Sequence, residues 1–471
     1  MQAKIYFGSK EVSREKLIER KSPYDDRVVS LMPFCDASDA KKALQIAQVA
    51  SKNAKKTLLS QRCDWLLDVA DKLKQNRQDM AKTITDEVAK PITYALGEVD
   101  RCIETIILSA ETMRTMSGET INTDAMPSGK KTLAYFKREG AGVVVAITPF
   151  NFPLNLIAHK IAPALVAGNA VVLKPTPEAP LSAYKFAKLF IESEYAIKDA
   201  LSVVYGDAEV GNALVTSEIP RVISFTGSVS VGNIIAKSAG IKKISLELGG
   251  NASTYIDSDA DLDLAASRCA LGAFVNSGQV CISLQRIYVD AKVYDEFAQK
   301  MAQETKKLKV GSPYDADTFM GPLINEDACK RAMNWVQSAI KEGATPLFEP
   351  KIDGRIFYPC VMTDVSDDMA IVCEEVFAPI VSLVKVNGFS DAMPRMNDSA
   401  FGLQSSVFTN DLALVKRAVN ELEAGGVVIN DMPTLRFDIQ PYGGIKLSGV
   451  GREGPRYTIE EMSEIKSVVI A

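Results

Sequence analysis

The chain shows two successive patterns of hydrophobic and polar positions. Near the N-terminus, Asp36 and Ser38 are candidate helix caps, and small apolar residues follow at helical spacing on one face. These residues are Ala40, Ala43, Leu44, Ala47 and Ala50. Two further amphipathic runs cover residues 63–84 and the neighbourhood of 103–113. The early part of the chain is therefore predicted to be helical.

From residue 140 onward, short apolar runs rich in β-branched residues alternate with helical stretches. The apolar runs are VVVAI (143–147), AVVLK (170–174), LSVVY (201–205) and VISF (222–225), and the helical stretches include 156–167 and 183–194. Alternation of strand and helix predicts a parallel sheet with crossover helices. Since such sheets bind ligands at the carboxyl ends of their strands, the loops after these runs are the candidate binding sites.

A second α/β pattern runs from about residue 252 to 430. Its predicted strands lie at 286–289, 380–386 and 425–430. The C-terminal segment EIKSVVIA also reads as a strand, but no neighbouring segment offers it a partner. Because an unpaired terminal strand can extend the sheet of another subunit, this segment indicates an oligomer. We expect an α/β protein with two parallel sheets.

The length and charge of the chain narrow its class. A chain of 471 residues exceeds the size of a single hydrophobic core, which predicts two or three domains. The net charge of −5 argues against nucleic acid or an anionic membrane surface as a partner. No apolar segment is long enough to span a bilayer, and the N-terminus has no apolar core of the signal-peptide kind. The expected location is cytoplasmic.

The chain contains one histidine, His159, and eight cysteines without a C-x-x-C pair. A single histidine argues against clustered-histidine zinc sites and against Ser-His-Asp or Cys-His catalysis, unless His159 serves such a site alone. No metal site is expected. Base catalysis should therefore fall to a glutamate, an aspartate or a lysine.

Two motifs carry residues suited to nucleophilic chemistry. Cys281 ends the segment FVNSGQVC, whose small polar residues suggest an entry into a helix, where a thiol gains thiolate character. Glu247 lies 34 residues upstream between Leu246 and Leu248, a position that should raise its pKa toward that of a useful base. The alternatives are a buried structural thiol and an ordinary strand end.

Three loops after predicted strands add binding groups. Asn151, in TPFNFP, lies between prolines that stiffen the loop, and its amide is a candidate oxyanion donor or a turn cap. The segment FTGSVSVG, with Gly227 and Ser228, follows a strand and opens a helix, as anion sites do, although it is not the G-x-G-x-x-G fingerprint. Lys174 ends the AVVLK run, where a cation can meet a ribose or a phosphate.

Seven motifs in one order resemble the aldehyde dehydrogenase superfamily, over essentially the whole chain. They are TPFNFP, AGNAVVLKP, FTGS, LELGG, NSGQVC, EEVFAP (374–379) and PYGGIKLSGVGREG (441–454). The resemblance implies that Cys281 is the nucleophile and that Glu247 activates the water that hydrolyses a thioester. It also implies an oxyanion site formed by Asn151 and the Cys281 N–H, with Lys160 assisting proton movement.

By the same resemblance the fold has two Rossmann-type domains and a small β oligomerisation arm, and the cofactor is NAD or NADP. Lys174 and Glu375 would hold the two riboses. The implied cofactor contacts are Thr148, Pro149, Lys174, Gly206, Gly211, Phe225, Gly227, Ser228, Leu248, Glu375 and Phe377. The implied domains are 1–121 with 139–248 for the cofactor, 249–456 for catalysis, and 122–138 with 457–471 for an arm that joins a homodimer or homotetramer.

The chain departs from the superfamily pattern at two places. NAD-preferring relatives often carry a glutamate where this chain has Pro177, so NADP is also expected to fit. Ala378 replaces the usual glycine, a small change. Branches that acylate coenzyme A typically lack the glutamate found here at 247, which favours hydrolysis. The remaining alternatives are an acylating enzyme or a catalytically silent relative with a binding role.

The sequence says less about the substrate. Asn155 and His159 stand where relatives that take large apolar aldehydes carry apolar or aromatic residues, which favours a short hydroxylated or anionic aldehyde. Arg436 could bind a carboxylate, phosphate or sulfonate, or make a surface ion pair, and His159 could equally be a structural histidine. The branch resembled most is that of lactaldehyde and related dehydrogenases, including non-phosphorylating glyceraldehyde-3-phosphate enzymes.

Overall fold

The computed structural model describes residues 1–471 and contains fifteen helices and twenty-four strands. The helices are α1 Ala37–Lys56, α2 Leu59–Gln75, α3 Arg77–Val88, α4 Ile92–Thr115, α5 Asn155–Val166, α6 Pro180–Ile191, α7 Ala208–Thr216, α8 Val229–Ser238, α9 Leu262–Phe274, α10 Tyr294–Lys307, α11 Glu326–Lys341, α12 Ala370–Cys373, α13 Phe389–Asn397, α14 Leu412–Glu421 and α15 Pro455–Glu461. None of them has both the length and the apolar character that a bilayer-spanning helix needs.

The strands form two large sheets and four smaller ones. They are β1 Ile5–Phe7, β2 Lys10–Val12, β3 Leu17–Lys21, β4 Val28–Pro33, β5 Glu119–Asn122, β6 Leu133–Gly140, β7 Val143–Ile147, β8 Ala170–Lys174, β9 Leu201–Val203, β10 Val222–Thr226, β11 Lys243–Glu247, β12 Ala252–Ile256, β13 Leu284–Asp290, β14 Thr345–Pro346, β15 Ile352–Asp353, β16 Ile356–Phe357, β17 Cys360–Thr363, β18 Ile380–Val386, β19 Phe401–Gly402, β20 Gln404–Phe408, β21 Gly426–Ile429, β22 Ile445–Lys446, β23 Gly449–Val450 and β24 Ser463–Ile470.

The first large sheet has the order β2-β1-β9-β8-β7-β10-β11-β23. Its five central strands, β7 to β11, run parallel, while β1 and β23 pair antiparallel at the two sides. The central strands are almost entirely buried, as expected of parallel strands covered by helices on both faces. The predicted parallel sheet is therefore confirmed, with antiparallel strands added at its edges.

The second large sheet has the order β14-β17-β18-β13-β12-β20-β21, and all its pairs except β14 with β17 are parallel. The runs predicted at 286–289, 380–386 and 425–430 are β13, β18 and β21. Together with the first sheet, this confirms the predicted α/β class with two parallel sheets.

The early chain is not wholly helical as predicted. Strands β1 to β4 precede α1, and the amphipathic run 63–84 is divided between α2 and α3. The break lies at Asn76, whose side-chain amide donates to the carbonyl of Lys72 at 2.8 Å and so satisfies the end of α2. Asp36 caps α1 as expected, by accepting from the backbone N–H groups of Ser38 and Asp39.

The C-terminal strand has no partner in a neighbouring segment, as expected, but it pairs with a distant one. Strand β24 pairs antiparallel with β6 along its whole length, from Ser463 opposite Gly140 to Ile470 opposite Leu133. With β5 on the other side of β6, it forms a three-stranded sheet, which we call the arm sheet. The pairing is not visible in the local sequence, because more than 320 residues separate the two strands.

The register of the first sheet brings its candidate residues to one edge. Ile147, the last residue of β7, lies beside Lys174 at the end of β8 and beside Phe225 in β10. Thr226, the last residue of β10, lies beside Glu247 at the end of β11. The loops that follow these strands therefore open at the same carboxyl edge, where α/β sheets bind their ligands.

Candidate active site

A cavity of about 900 Å³ lies at this edge and joins segments from both large sheets. The predicted site residues that line it are Pro149, Asn151, Asn155, Gly227, Ser228, Glu247, Leu248, Cys281, Glu375, Phe377 and Arg436. Its size suits a small ligand, and its mixed lining of apolar and polar groups suits recognition of one. The remaining predicted residues lie outside it.

Cys281 does not begin a helix, so the predicted source of its acidity was wrong. It follows a short 3₁₀ turn, Val275–Gly278, and is followed by β13. Asn276 and Ser277 in that turn both have positive φ angles, of 52° and 56°. Consecutive left-handed residues store strain of the kind found at functional sites, and they direct the chain into the cavity.

Burial raises the pKa of the Cys281 thiol to about 11. A hydrogen bond with the Tyr442 hydroxyl, at 3.1 Å from Sγ, and the charge of Arg436 act in the opposite direction. The carboxyls of Glu375 and Glu247 favour the neutral thiol. The backbone N–H of Cys281 donates no hydrogen bond within the chain, which leaves it free for a ligand.

The two glycines of the LELGG motif allow the chain after β11 to lie close to Cys281 and Glu375. A Cβ on Gly250 would lie 2.1 Å from the carbonyl oxygen of Cys281, and one on Gly249 would lie 2.4 Å from the carboxyl of Glu375. Position 250 therefore requires glycine for close approach to the backbone, whereas a side chain at position 249 would displace the Glu375 carboxyl.

Asn151 is held rigidly in the loop after β7. Its Oδ1 accepts from the backbone N–H of Phe152 at 3.2 Å, and its Nδ2 donates to the carbonyl of Gln279 at 3.0 Å. One Nδ2 hydrogen is used in this way, so the other can point into the cavity. A fixed amide near the thiol and the free Cys281 N–H is the geometry that an oxyanion site requires.

Glu247 ends β11 in a fully enclosed position. Neither carboxyl oxygen has a hydrogen-bond partner. Burial raises the pKa of Glu247 well above its ordinary value, and the negative charge of Glu453 raises it further, while Lys160 and Arg436 oppose the rise. An orphaned, desolvated carboxyl in a cavity is a candidate general base with a cause for its basicity.

Lys160 and Glu453 form a buried ion pair behind Glu247. The Lys160 Nζ donates to the Glu453 Oε1 at 2.7 Å, and both side chains are at most 1% exposed. Burial opposes the Glu453 carboxylate, but the charges around it, chiefly Lys160, lower its pKa to about 2. Lys160 does not line the cavity, so its predicted part in proton movement would pass through Glu453 and Glu247.

His159 does not reach the cavity, contrary to its prediction as a substrate contact. Its side chain is fully buried and its Nε2 lies 3.1 Å from Asp438, which also accepts two hydrogen bonds from Arg101. Burial, followed by the charge of Arg436, lowers the pKa of His159. The sequence predicted a substrate contact for His159 because the spacing of residues does not reveal its partner, Asp438, on a distant loop.

The cofactor-contact residues fit a dinucleotide. Thr148, just after β7, and Thr226, at the end of the neighbouring parallel strand β10, each carry a buried hydroxyl without a hydrogen-bond partner. Ser228 caps α8 by accepting from the N–H of Val231, so the first turn of that helix opens where anions bind. The Phe225 ring packs against Gly227 and supports this loop.

The other predicted cofactor contacts lie in two separate places, one around Lys174 and one at Glu375. Lys174 is buried, Gly211 in α7 approaches its side chain, and Gly206 lies in the loop just before that helix. Burial lowers the pKa of Lys174. At the other end, Glu375 accepts from the N–H of Gly250 at 3.0 Å, and burial raises its pKa to about 7. The Glu375 carboxyl thus lies in the same cavity as the thiol.

At the substrate end, Asn155 begins α5 beside a buried ion pair. Its side chain lies 3.2 Å from the Thr105 hydroxyl, and its N–H donates to Glu98 at 3.1 Å. Glu98 also accepts from the N–H of Leu154 at 2.8 Å and pairs with Lys90. These contacts fasten the segment that follows Asn151.

We expect the substitution Glu98→Gln to destabilise the protein by about 3 kcal/mol or more, because it leaves the buried Lys90 ammonium without a counter-charge. Glutamine keeps an oxygen that accepts from the N–H groups of Leu154 and Asn155. The loss of stability therefore reports the removal of the negative charge. The measurement is urea unfolding followed by circular dichroism. The double variant Lys90→Met with Glu98→Gln should recover much of the loss.

A matched control is Asp64→Asn, which breaks the pair with Arg114, where both side chains are nearly half exposed. Its expected effect is less than about 1 kcal/mol. Equal effects of Glu98→Gln and Asp64→Asn would contradict a stabilising role for the buried pair.

Several site residues were missed by reasoning from the sequence. Tyr442 and Glu453 lie in the segment PYGGIKLSGVGREG, which was noted only as a motif. Asp438 and Arg101 are far apart in sequence, and nothing in either segment announces that they meet around His159. Only the packing of α4 and α5 against the loop before Tyr442 brings them together.

Two parallel sheets that share a crevice, with loops suited to anions on one side and a thiol on the other, are an arrangement that suits a dinucleotide-dependent oxidoreductase. The Aldehyde dehydrogenase family model matches residues 10–468. The chain is 40% identical to the 3-sulfolactaldehyde dehydrogenase of Priestia aryabhattai over 98% of this chain and 96% of that one. It is 39% identical to the lactaldehyde dehydrogenase of Methanococcus aeolicus over 98% and 99% of the two chains.

Among solved structures, a glyceraldehyde-3-phosphate dehydrogenase from Methanocaldococcus jannaschii in complex with NADP superposes with a TM-score of 0.94 at 38% identity, covering 98% of this chain and 100% of that one. The chain therefore belongs to the aldehyde dehydrogenase family. It is an NAD(P)-dependent enzyme that oxidises an aldehyde, and the family likeness supports this activity over acyl transfer to coenzyme A.

Proposed function

We propose that the enzyme oxidises a short hydroxylated aldehyde of the lactaldehyde kind to its carboxylic acid through a thioester on Cys281. The observation that carries this proposal is that the Cys281 thiol, the Asn151 amide and the Glu247 carboxyl line one cavity, together with Glu375 and Phe377. A nucleophile, an oxyanion donor and a base in one enclosure are the groups that acyl chemistry requires.

In the proposed reaction, the Cys281 thiolate attacks the aldehyde carbon, and the carbonyl electron pair moves to oxygen. The Asn151 amide and the Cys281 N–H donate to that oxygen. A nicotinamide cofactor held in this cavity would supply the acceptor for the hydride that leaves the substrate carbon, and the sulfur then carries a thioester. Glu247 takes a proton from water, the water oxygen attacks the thioester, and the C–S bond breaks to release the acid.

The hydrogen bonding of the two buried glutamates, Glu247 and Glu453, supports the role of Glu247 as the base. Its carboxyl has no hydrogen-bond partner, whereas Glu453 is paired with Lys160. Glu247 is thus the free acceptor, and Glu453 with Lys160 provides a buried path behind it. Burial and the charge of Glu453 both oppose ionisation of Glu247. The Glu247 carboxyl therefore keeps a proton taken from water until another group accepts it.

The Arg436 guanidinium favours an aldehyde with an anionic group. It lines the cavity, and its contacts with the carboxylates of Asp438 and Glu453 are long, at 3.6 and 3.7 Å. The Nε of Arg436 is buried without a hydrogen-bond partner. A carboxylate, phosphate or sulfonate beside the aldehyde would satisfy both the charge and the donor.

We expect Arg436→Met to reduce the preference for an anionic aldehyde, measured as the ratio of kcat/KM for 3-sulfolactaldehyde to that for lactaldehyde, by about tenfold or more. The physical reason is the loss of a charge-assisted hydrogen bond that only the anionic aldehyde can make. Steady-state formation of the reduced cofactor provides the measurement.

Arg331→Met is the matched control, because Arg331 also lines the cavity but donates to the carbonyl of Val376 near the Glu375 side. Its ratio should stay near that of the native enzyme. An unchanged ratio in Arg436→Met would rule out Arg436 as the anion contact.

We also propose that the enzyme accepts both NAD and NADP. Pro177 places no carboxylate three residues after Lys174, and the next carboxyl, Glu178, is already bonded to the Thr176 hydroxyl. The positive charge of Lys174 can therefore meet a 2′-hydroxyl or a 2′-phosphate. The NADP complex of the Methanocaldococcus relative supports the second possibility.

The arm sheet supports a further proposal, that the enzyme is a homodimer or homotetramer joined through it. This sheet exposes a group of large apolar side chains, namely Ile121, Leu133, Ile465, Val469 and Ile470. Exposed apolar groups on a sheet with open edges suit association between copies. We propose a cytoplasmic location because all eight cysteines are unpaired.

A further inference from the structure

Tyr442 lies directly against the proposed nucleophile. Its hydroxyl is 3.1 Å from the Cys281 Sγ, and its side chain is only 7% exposed. Both residues line the same cavity. The hydroxyl therefore touches the atom that forms the bond to substrate, and no step proposed above has used it.

A buried cation covers the same ring. The guanidinium of Arg436 lies 3.7 Å from the centroid of the Tyr442 ring, within the range of a cation–π contact. Positive charge over the ring draws electron density from the phenol, which makes its O–H a stronger donor. Tyr442 thus joins the charge of Arg436 to the sulfur of Cys281.

The thiolate needs such a partner here. No helix begins at Cys281, and burial disfavours the charged sulfur. Of the titratable groups around it, the carboxyls of Glu375 and Glu247 also disfavour the thiolate, while Tyr442 and Arg436 favour it. The hydroxyl is the nearest of the favourable groups, and it makes the hydrogen bond.

The direction of that hydrogen bond follows from the chemistry of the two groups. Burial, and then the nearby Cys281, raises the pKa of Tyr442 well above its ordinary value, so the phenol keeps its proton. A thiolate carries no proton and can only accept. When the S–H bond ionises, its proton passes to water, the electron pair stays on sulfur, and the phenol O–H donates to that sulfur.

We infer that Tyr442 is a catalytic residue whose hydroxyl stabilises and orients the Cys281 thiolate by donating a hydrogen bond to it. This inference rests on the proposed function, because it takes Cys281 to be the nucleophile. The phenol replaces the helix N-terminus that reasoning from the sequence expected at this cysteine.

The test is alkylation of the whole enzyme by iodoacetamide between pH 6 and 10, with labelling of Cys281 followed by mass spectrometry of its peptide. In Tyr442→Phe the rate at neutral pH should fall about tenfold, equivalent to a rise of about one unit in the pKa of the thiol. Phenylalanine keeps the ring that Arg436 covers. Arg436→Met should slow labelling in the same direction.

The matched control is Tyr94→Phe, which removes a hydroxyl from the same cavity without a contact to Cys281. Its labelling profile should coincide with that of the native enzyme. The exposed Cys373 reports, in every variant, that the fold and the reagent are unchanged. Equal slowing of Cys281 labelling in Tyr94→Phe would indicate a change in access to the cavity rather than in the thiol, and would overturn the inference.

Unchanged or faster labelling of Cys281 in Tyr442→Phe would also overturn the inference, since the hydroxyl would then be neutral or would shield the thiol. Because labelling requires no turnover, this result leaves the proposed function standing. The proposed function fails separately if Cys281→Ser retains aldehyde oxidation.

Discussion

Replacing Cys281 by serine is expected to lower kcat for aldehyde oxidation by about 10⁴-fold or more. A serine hydroxyl ionises far less readily than a thiol and needs an adjacent base. The neighbour of this position is the Tyr442 hydroxyl, and the one imidazole, His159, is fully buried against Asp438. Neither of these two groups is therefore placed to activate the serine as a base.

The measurement is the absorbance of the reduced cofactor with a panel of short aldehydes. Cys373→Ser is the control, because Cys373 is exposed and its sulfur lies near the carbonyl of Asp368 rather than in the cavity. That variant should retain native turnover. If Cys281→Ser and Cys373→Ser were equally active, the thioester route would be wrong.

Replacing Glu247 by glutamine is expected to slow the release of acid by about 10²- to 10⁴-fold and to trap the thioester. Glutamine fills the same enclosed position but cannot take a proton from water. The first turnover should therefore give a burst of reduced cofactor, followed by slow turnover. Intact-protein mass spectrometry should detect the acyl group on the enzyme.

The pH dependence of this step has a definite sign. Burial, and then the charge of Glu453, raises the pKa of Glu247, so its carboxylate form becomes more abundant as pH rises toward that pKa. Hydrolysis by the native enzyme should accelerate over this range, and the acceleration should be absent in Glu247→Gln. A native profile in the variant would assign the base to another group.

Glu375→Gln provides the comparison for that experiment. Glu375 lies on the cofactor side of the cavity, bonded to the N–H of Gly250. Its loss should slow formation of the thioester rather than its hydrolysis, so no burst and no added mass should accumulate. Accumulation in both variants would mean that the two carboxyls do not divide the reaction as proposed.

The sequence was sufficient to predict the strands that are buried on both faces of the sheet. The strands β7, β8 and β10 are continuous apolar runs because helices cover both faces of the sheet, and such runs are visible without a structure. Strands β2 and β3 are short, polar and largely exposed, so their composition resembles that of loops. The pairing of β2 with β1 and of β3 with β4 depends on the segments that pack around these strands, and not on their own residues.

The site was predictable where one residue and its immediate neighbours define the chemistry. Asn151 after β7 and Glu247 at the end of β11 follow from strand ends and burial. The surroundings of Cys281 did not follow, because a left-handed turn at Asn276 and Ser277 takes the place of the expected helix entry. Partners such as Tyr442 come from segments more than 150 residues away.

The late segments have a consequence for synthesis on the ribosome. Strand β23 closes one side of the first sheet beside β11, and Glu453 supplies the counter-charge of Lys160 inside α5. The nascent chain can therefore neither complete this sheet nor pair Lys160 until Glu453 has been translated. A chain truncated before this point is expected to expose the open edge of β11 to chaperones.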